Sequence, residues 1–142
     1  MKNIRKLANE IFVEGLSGMA TGLFATLIIG TIIQQIGGFI PGIVGELLFL
    51  MGKVAASVTG VGIGCGVAVR FKESPLVTMS AATCGMMGAF ASKILAGAVL
   101  VDGAIVYAGP GEPLGAFVAS IVGIYMGRLV SGKTKVDIIV TP

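Results

Sequence analysis

An all-α protein that crosses a membrane several times is the fold class this sequence predicts, and three observations predict it. Hydrophobic residues make up 55% of the 142 residues, charged residues only 12%, and mean hydropathy is +0.99. A soluble domain carries about 25% charged residues, so half that share leaves too few charges to wet the surface, and lipid must cover much of it. Glycine occurs 23 times. Each would weaken a soluble helix by roughly 1 kcal/mol against alanine, whereas in a membrane it lets helix backbones approach closely. Finally, the apolar residues fall into long runs with the positive charges at their ends.

These features exclude several function classes. The net charge of +3 forms no basic patch with interleaved aromatics, so nucleic-acid binding is not expected. The chain has no histidine, which removes histidine metal sites, histidine general bases and any phosphohistidine. Cys65 and Cys84 lie within apolar runs and read as small core residues. Neither a metal nor a cofactor is expected, and the partners implied are the lipid bilayer and a small polar solute.

Taken in order, residues 1–10 form a short basic amphipathic segment with Lys2, Arg5 and Lys6. A retained first span follows over 11–36, too long for the apolar core of a signal peptide. Residues 39–71 are nearly all apolar and exceed the ~20 residues of a perpendicular span. They read either as a re-entrant or interfacial piece at 41–52 followed by span 2 at 53–70, or as one long tilted helix. Span 3 starts at Pro75, a favoured first helical residue, and ends near Gly97. Residues 98–112 suggest a short extracytoplasmic β-hairpin turning at Asp102-Gly103. Span 4 runs over 113–130. Basic connections (the N-terminus, Arg70 and Lys72, then Arg128, Lys133 and Lys135) alternate with non-basic ones, which predicts four crossings with both termini cytoplasmic.

Every span carries small residues four apart, hence on one helix face. They are Gly18, Gly22, Thr26 and Gly30; Ala56, Gly60, Gly64 and Ala68; Ala81, Gly85 and Ala89; and Gly115, Ala119, Gly123, Gly127 and Ser131. These ridges predict close helix packing. Gly60, Gly62, Gly64 and Gly66 occupy every second position, a density that weakens a helix and favours an unwound, cavity-lining segment.

Charged residues within or beside the apolar runs are the candidate cavity residues. Each costs ~2.5–3.5 kcal/mol at a span centre and so needs solvation or a partner. They are Glu14, Glu46, Lys53 and Lys93, together with the glycines 60, 62 and 64. Glu112 joins them, because the Gly-Pro-Gly-Glu-Pro turn places it at a helix N-terminus, where the dipole favours an anion. Catalytic residues are not expected. The run from Gly127 to Thr134 fits the phosphate-binding pattern G-x-x-x-x-G-K-[ST]. However, the strand that should precede such a loop is replaced by an apolar helix, so the match reads as a helix end.

Three stretches carry a resemblance: EGLSGMATGLFATLIIGTIIQQIG (14–37), GVAVRFKESPLVTMSAATCGMMGAFA (66–91) and GEPLGAFVASIVGIYMGRLVSGKTKVDIIVTP (111–142). Together they resemble the EIIC-like membrane family of the bacterial phosphotransferase system, in the branch that includes the perfringolysin O regulatory protein. Gly111-Glu112-Pro113 is also similar to part of the Gly-Ile-x-Glu-Pro substrate loop of glucose-type permease subunits. The resemblance implies a sugar-permease-like domain in the bacterial cytoplasmic membrane. It is no complete enzyme alone, since phosphoryl transfer would come from a separate cytoplasmic subunit. A homo-oligomer, foremost a dimer, is expected. The chain reads as one transmembrane domain over 1–142, the N-terminal half of a longer permease-like protein. The other functions the sequence allows are a membrane regulator or sensor, or a small oligomeric channel.

Overall fold

The computed structural model describes residues 2–97, 100–105 and 111–131. Helix α1 is Asn3–Phe39, 37 residues without interruption. The basic amphipathic segment and span 1 are therefore one helix, widened into π-helical turns at Glu10–Gly15 and Phe24–Ile28. After a turn at Pro41-Gly42, α2 (Ile43–Ser57) and α3 (Thr59–Arg70) run back along it. Helix α4 is Pro75–Ala89, continued after a break by the short α5, Ala91–Leu95. Strands β1 (Leu100–Val101) and β2 (Ala104–Ile105) pair antiparallel, and α6 is Pro113–Val130. Helices α1 and α6 are each long and apolar enough to cross a membrane, and the bent pair α2 and α3 passes the same test when taken together.

Local chemistry sets the boundaries. Ser74 caps α4 by accepting the Val77 N–H at 3.4 Å, with Pro75 in the first helical turn. Asp102 and Gly103 both have positive φ, 51° and 79°, as a two-residue hairpin turn requires. Between α2 and α3 the axis bends by 50° at Val58. The neighbouring hydroxyls explain the bend: Ser57 Oγ donates to Val54 O at 2.7 Å and Thr59 Oγ1 to Ala56 O at 2.6 Å. Side chains that bond their own helix's carbonyls in this way divert the ladder and still satisfy groups that lipid could not. The interruption thus falls at Val58, later than the expected boundary near 52. Span 3 is likewise broken, at Phe90, with Ala89 O accepting the Glu112 N–H at 2.7 Å.

The glycine-dense run does not unwind: residues 60–66 lie within α3. The reason is tertiary. A Cβ built on Gly60 or Gly64 would lie 2.7 or 2.2 Å from the α4 carbonyls of Gly85 and Ala81. On Gly66 it would lie 2.1 Å from Gly18 O, and on Gly62 2.6 Å from the Thr26 methyl. Helix α3 is therefore clamped between α1 and α4, and α6 packs on α4 where Gly88 meets Gly115. Ile63, Val67, Val77, Ala81, Ala116, Phe117 and Ile124 fill the core of this packing. The C-terminal half of α1 and helix α2 form a hairpin through Gly30 with Gly52 and Gly37 with Gly45. Its outer faces expose Ile29, Ile32, Phe39, Val44, Leu47 and Met51, a surface suited to lipid.

Alanine at Gly45 would set its Cβ 1.8 Å from Ile40 O, whereas Gly38 has nothing within 4 Å. Gly45→Ala should lose about 1–3 kcal/mol through overpacking. Gly38→Ala should be neutral or gain up to about 1 kcal/mol from helix propensity. Thermal unfolding in detergent measures both; equal effects would contradict this packing.

Candidate functional site

Glycine creates the main recess. Where Gly18 and Gly22 of α1 meet Gly66 and Gly62 of α3, the two backbones touch with no side chains between them. On one flank of this contact, Met19 and Leu23 pack against the core that holds Ile63 and Val67. The other flank is an open groove of about 900 Å³ with the four glycines in its floor. Thr21, Ala25, Cys65 and Val69 form its walls, and Glu14, Arg70 and Lys72 its charged mouth. The volume lies in the ~300–1,000 Å³ range of small-molecule sites, and a few placed polar groups in an otherwise apolar recess is their usual make-up.

Across the mouth, Arg70 Nε donates to Glu14 Oε2, an ion pair with both side chains part-exposed. Such pairs contribute little to stability, about 0–1 kcal/mol, because water competes for both partners. Thr21 Oγ1 donates to Ser17 O at 3.1 Å, which leaves the hydroxyl oxygen able to accept a hydrogen bond from a ligand. Lys72 makes no ion pair among the described residues.

At the same end of the bundle a second cluster joins three parts of the chain. Arg128, in the last turn of α6, donates from Nη2 to Glu10 Oε1 at 2.6 Å and from Nε to Glu73 Oε1 at 2.5 Å. Its guanidinium lies over the rings of Tyr125 and Phe71, 4.9 and 5.4 Å from their centroids. One cation thereby fastens α6 to α1 and to the α3–α4 connection, with cation–π contact on two sides.

The structure brings two of the sequence candidates, Glu14 and Gly62, into one groove. Gly60 and Gly64 lie on the opposite side of α3, buried against α4. Glu46 lines a separate hollow of about 480 Å³ at the α1–α2 turn, beside Gly38, Gly42 and Phe49. Lys53 lines neither recess; it is exposed, with its ammonium 5.3 Å from the Phe49 ring centroid. At the other end of the bundle, Glu112 Oε1 accepts the Ser92 hydroxyl at 2.7 Å, and Lys93 lies over the Phe90 ring at 5.4 Å. Sequence reasoning noted Arg70 and Lys72 only as topology signals and did not single out Thr21, Glu10 or Glu73. Their signal was long-range, since Glu14 and Arg70 meet only because antiparallel packing aligns 14 with 70. Among the described residues no group of three or more Cys, Asp or Glu could hold a metal ion. Gly132, Lys133 and Thr134 lie outside the described residues, and the part of that pattern at 127–130 is the end of α6.

Arg128→Met should unclasp the bundle, leaving Glu10 and Glu73 facing each other without a cation. We expect a loss of about 2 kcal/mol, between the values for exposed and for buried pairs. Adding Glu73→Gln should restore part of it. Unfolding in detergent of the single and double variants checks this, and an unchanged single variant would show that the cluster does not hold the helices.

The comparisons with known proteins fit this helical architecture. A family model described as phosphotransferase system, EIIC matches residues 13–142. No curated protein and no solved structure matches the chain. The family match covers all of the helical bundle except the first turns of α1, and on that ground the chain belongs to the EIIC family of the phosphotransferase system.

Proposed function

We propose that this chain forms the part of a phosphotransferase-system permease that takes up a small polar solute, a sugar or a close relative, with the α1–α3 groove as the solute site. Family membership makes it a membrane domain of the sugar-transport type. The observation that carries the rest is the groove, where Glu14, Thr21 and Arg70 line one recess between two apolar helices. A carboxylate, a hydroxyl and a guanidinium offer acceptors and donors to vicinal hydroxyl groups, and the glycine floor leaves room for a ring. The chemistry here is binding and passage. Phosphoryl transfer is assigned to a cytoplasmic subunit, and a second copy of the chain is the proposed membrane partner.

Four crossings with both ends cytoplasmic are part of this proposal. Glu10, Glu14, Arg70, Glu73 and Arg128 gather at one end, while the hairpin at Asp102 and the Glu112 loop occupy the other. Helix α6, with 18 residues, is ~27 Å long at 1.5 Å per residue, close to the ~30 Å hydrocarbon core. Helix α4 is shorter, at 15 residues, and α5 extends it after the Phe90 break. The basic residues Arg5, Lys6, Arg70, Lys72 and Arg128 mark the cytoplasmic end.

Two experiments test the proposal. A cysteine introduced as Asp102→Cys should react with an impermeant thiol reagent from outside intact cells; reaction only from the cytoplasmic side would overturn the orientation. In vesicles containing the protein, its cytoplasmic phosphotransferase subunit, phosphoenolpyruvate and the general phosphocarriers, radiolabelled sugars should be taken up. Glu14→Gln should weaken uptake roughly tenfold, the loss of one charge-assisted hydrogen bond. Uptake that depends on the protein but is indifferent to Glu14, Thr21 and Arg70 substitutions would remove the groove from the pathway.

A further inference from the structure

Lys72 stands at the groove mouth in a backbone conformation that disfavours it. Its φ is +57°, in the left-handed region. It follows the end of α3, where its N–H donates to Val69 O and the Glu73 N–H donates to Ala68 O, both at 3.0 Å. This paired closure of a helix C-terminus usually places glycine at the left-handed position, because a Cβ there meets the following carbonyl. The chain has glycine at four of its other five described positive-φ positions, at Gly42, Gly97, Gly103 and Gly111. A cation near a helix C-terminus does gain from the helix dipole, but Arg70 in the last turn already supplies one. A lysine at a position where glycine fits better carries its charge at a cost in backbone strain.

The charge balance of the groove says what that charge faces. Two cations, Arg70 and Lys72, face one carboxylate, Glu14. Glu14 engages Arg70 through Nε, and the nearby Glu73 shares Arg128 with Glu10. Lys72 has no carboxylate partner among the described residues. The groups lining the recess therefore carry one positive charge in excess, next to the cluster of Glu10, Glu73 and Arg128 with one negative charge in excess.

We propose that the solute of this groove is an anion, a hydroxylated carboxylate of the sugar-acid class. Its carboxylate is held by Lys72 and the Arg70 Nη groups, and its hydroxyls meet Thr21 and Glu14. The inference rests on the groove being the solute site. Arginine matches a carboxylate with paired donors, and lysine adds a mobile point charge.

Cys65 in the groove wall reports occupancy directly. In a Cys84→Ser background, reconstituted in uncharged phosphatidylcholine nanodiscs, the rate of Cys65 labelling by a maleimide is followed with glucuronate, glucose or chloride at equal ionic strength. Glucuronate should protect at roughly tenfold lower concentration than glucose, the factor one charge-assisted hydrogen bond supplies. Lys72→Gly should abolish that preference with a Tm no lower than the parent, because glycine relieves the left-handed backbone. Equal protection by glucose and glucuronate would overturn the anion assignment and leave the groove as solute site. No protection by either would overturn the groove reading itself. A preference that survives Lys72→Gly while Tm falls would make Lys72 a structural residue. Slowing caused by phosphatidylglycerol alone, with none from glucuronate, would assign the charge to a lipid headgroup instead.

Discussion

Bare backbone contact on two opposite sides of α3 is the constraint on which this fold depends. Residues two apart on an α-helix point about 200° apart, at 3.6 residues per turn. Glycines at 60, 62, 64 and 66 therefore make two smooth faces: Gly60 and Gly64 toward α4, Gly62 and Gly66 toward α1. In lipid, apolar side chains gain nothing by leaving one hydrocarbon environment for another. Association rests instead on close van der Waals contact, and only a helix without side chains on both faces permits it twice. Helix α6 then joins through α4, by Gly88 with Gly115 and by Ser120 Oγ, which donates to Ala116 O at 2.7 Å and lies 3.3 Å from Ala81 O.

The same constraint generates the groove and the breaks. Backbones that touch leave a furrow on each side, one filled by core side chains and the other open with Glu14, Arg70 and Lys72 at its end. Where the helices bend, a carbonyl at each break finds a donor within the protein. Thr59 serves Ala56 at the Val58 bend, and the Glu112 N–H serves Ala89 at the Phe90 break. The Gly111-Glu112-Pro113 loop is thus a strut for α4, with Gly111 at φ +75° lying directly on Ala89. Irregular backbone at membrane depth persists only when its polar groups are met in this way.

Much of the secondary structure was legible from local chemistry. Pro75 marked the start of α4, Pro113 and the polar tail bounded α6, and Asp102-Gly103 marked the hairpin turn. The family, too, could be read from the three quoted stretches. The glycine run was misjudged because propensity treats each glycine as a loss, while here two neighbouring helices supply the compensating contact. The bend was expected too early, since Pro41, Glu46 and Lys53 drew attention away from the hydroxyls of Ser57 and Thr59. Of the candidate site, the sequence marks Glu14 as an intramembrane charge and Gly62 as one of the glycines expected to line a cavity. Their meeting with Arg70, and that of Arg128 with Glu10 and Glu73, depends on packing between segments far apart in the chain.

The two-faced packing of α3 is tested most directly by single alanine substitutions from Thr59 to Gly66, each followed by thermal unfolding in detergent. Because α3 is clamped on both sides, the losses should fall on all four glycines, apart from those at the fully buried Thr59 and Ile63, which lose core packing of their own. Gly60, Gly62, Gly64 and Gly66 should each lose about 1–3 kcal/mol, while Val61 and Cys65 between them should lose clearly less. A helix packed on one face only would show losses at Gly60 and Gly64, or at Gly62 and Gly66, with the other pair tolerant. That outcome would contradict the arrangement of α1, α3 and α4 on which the groove depends.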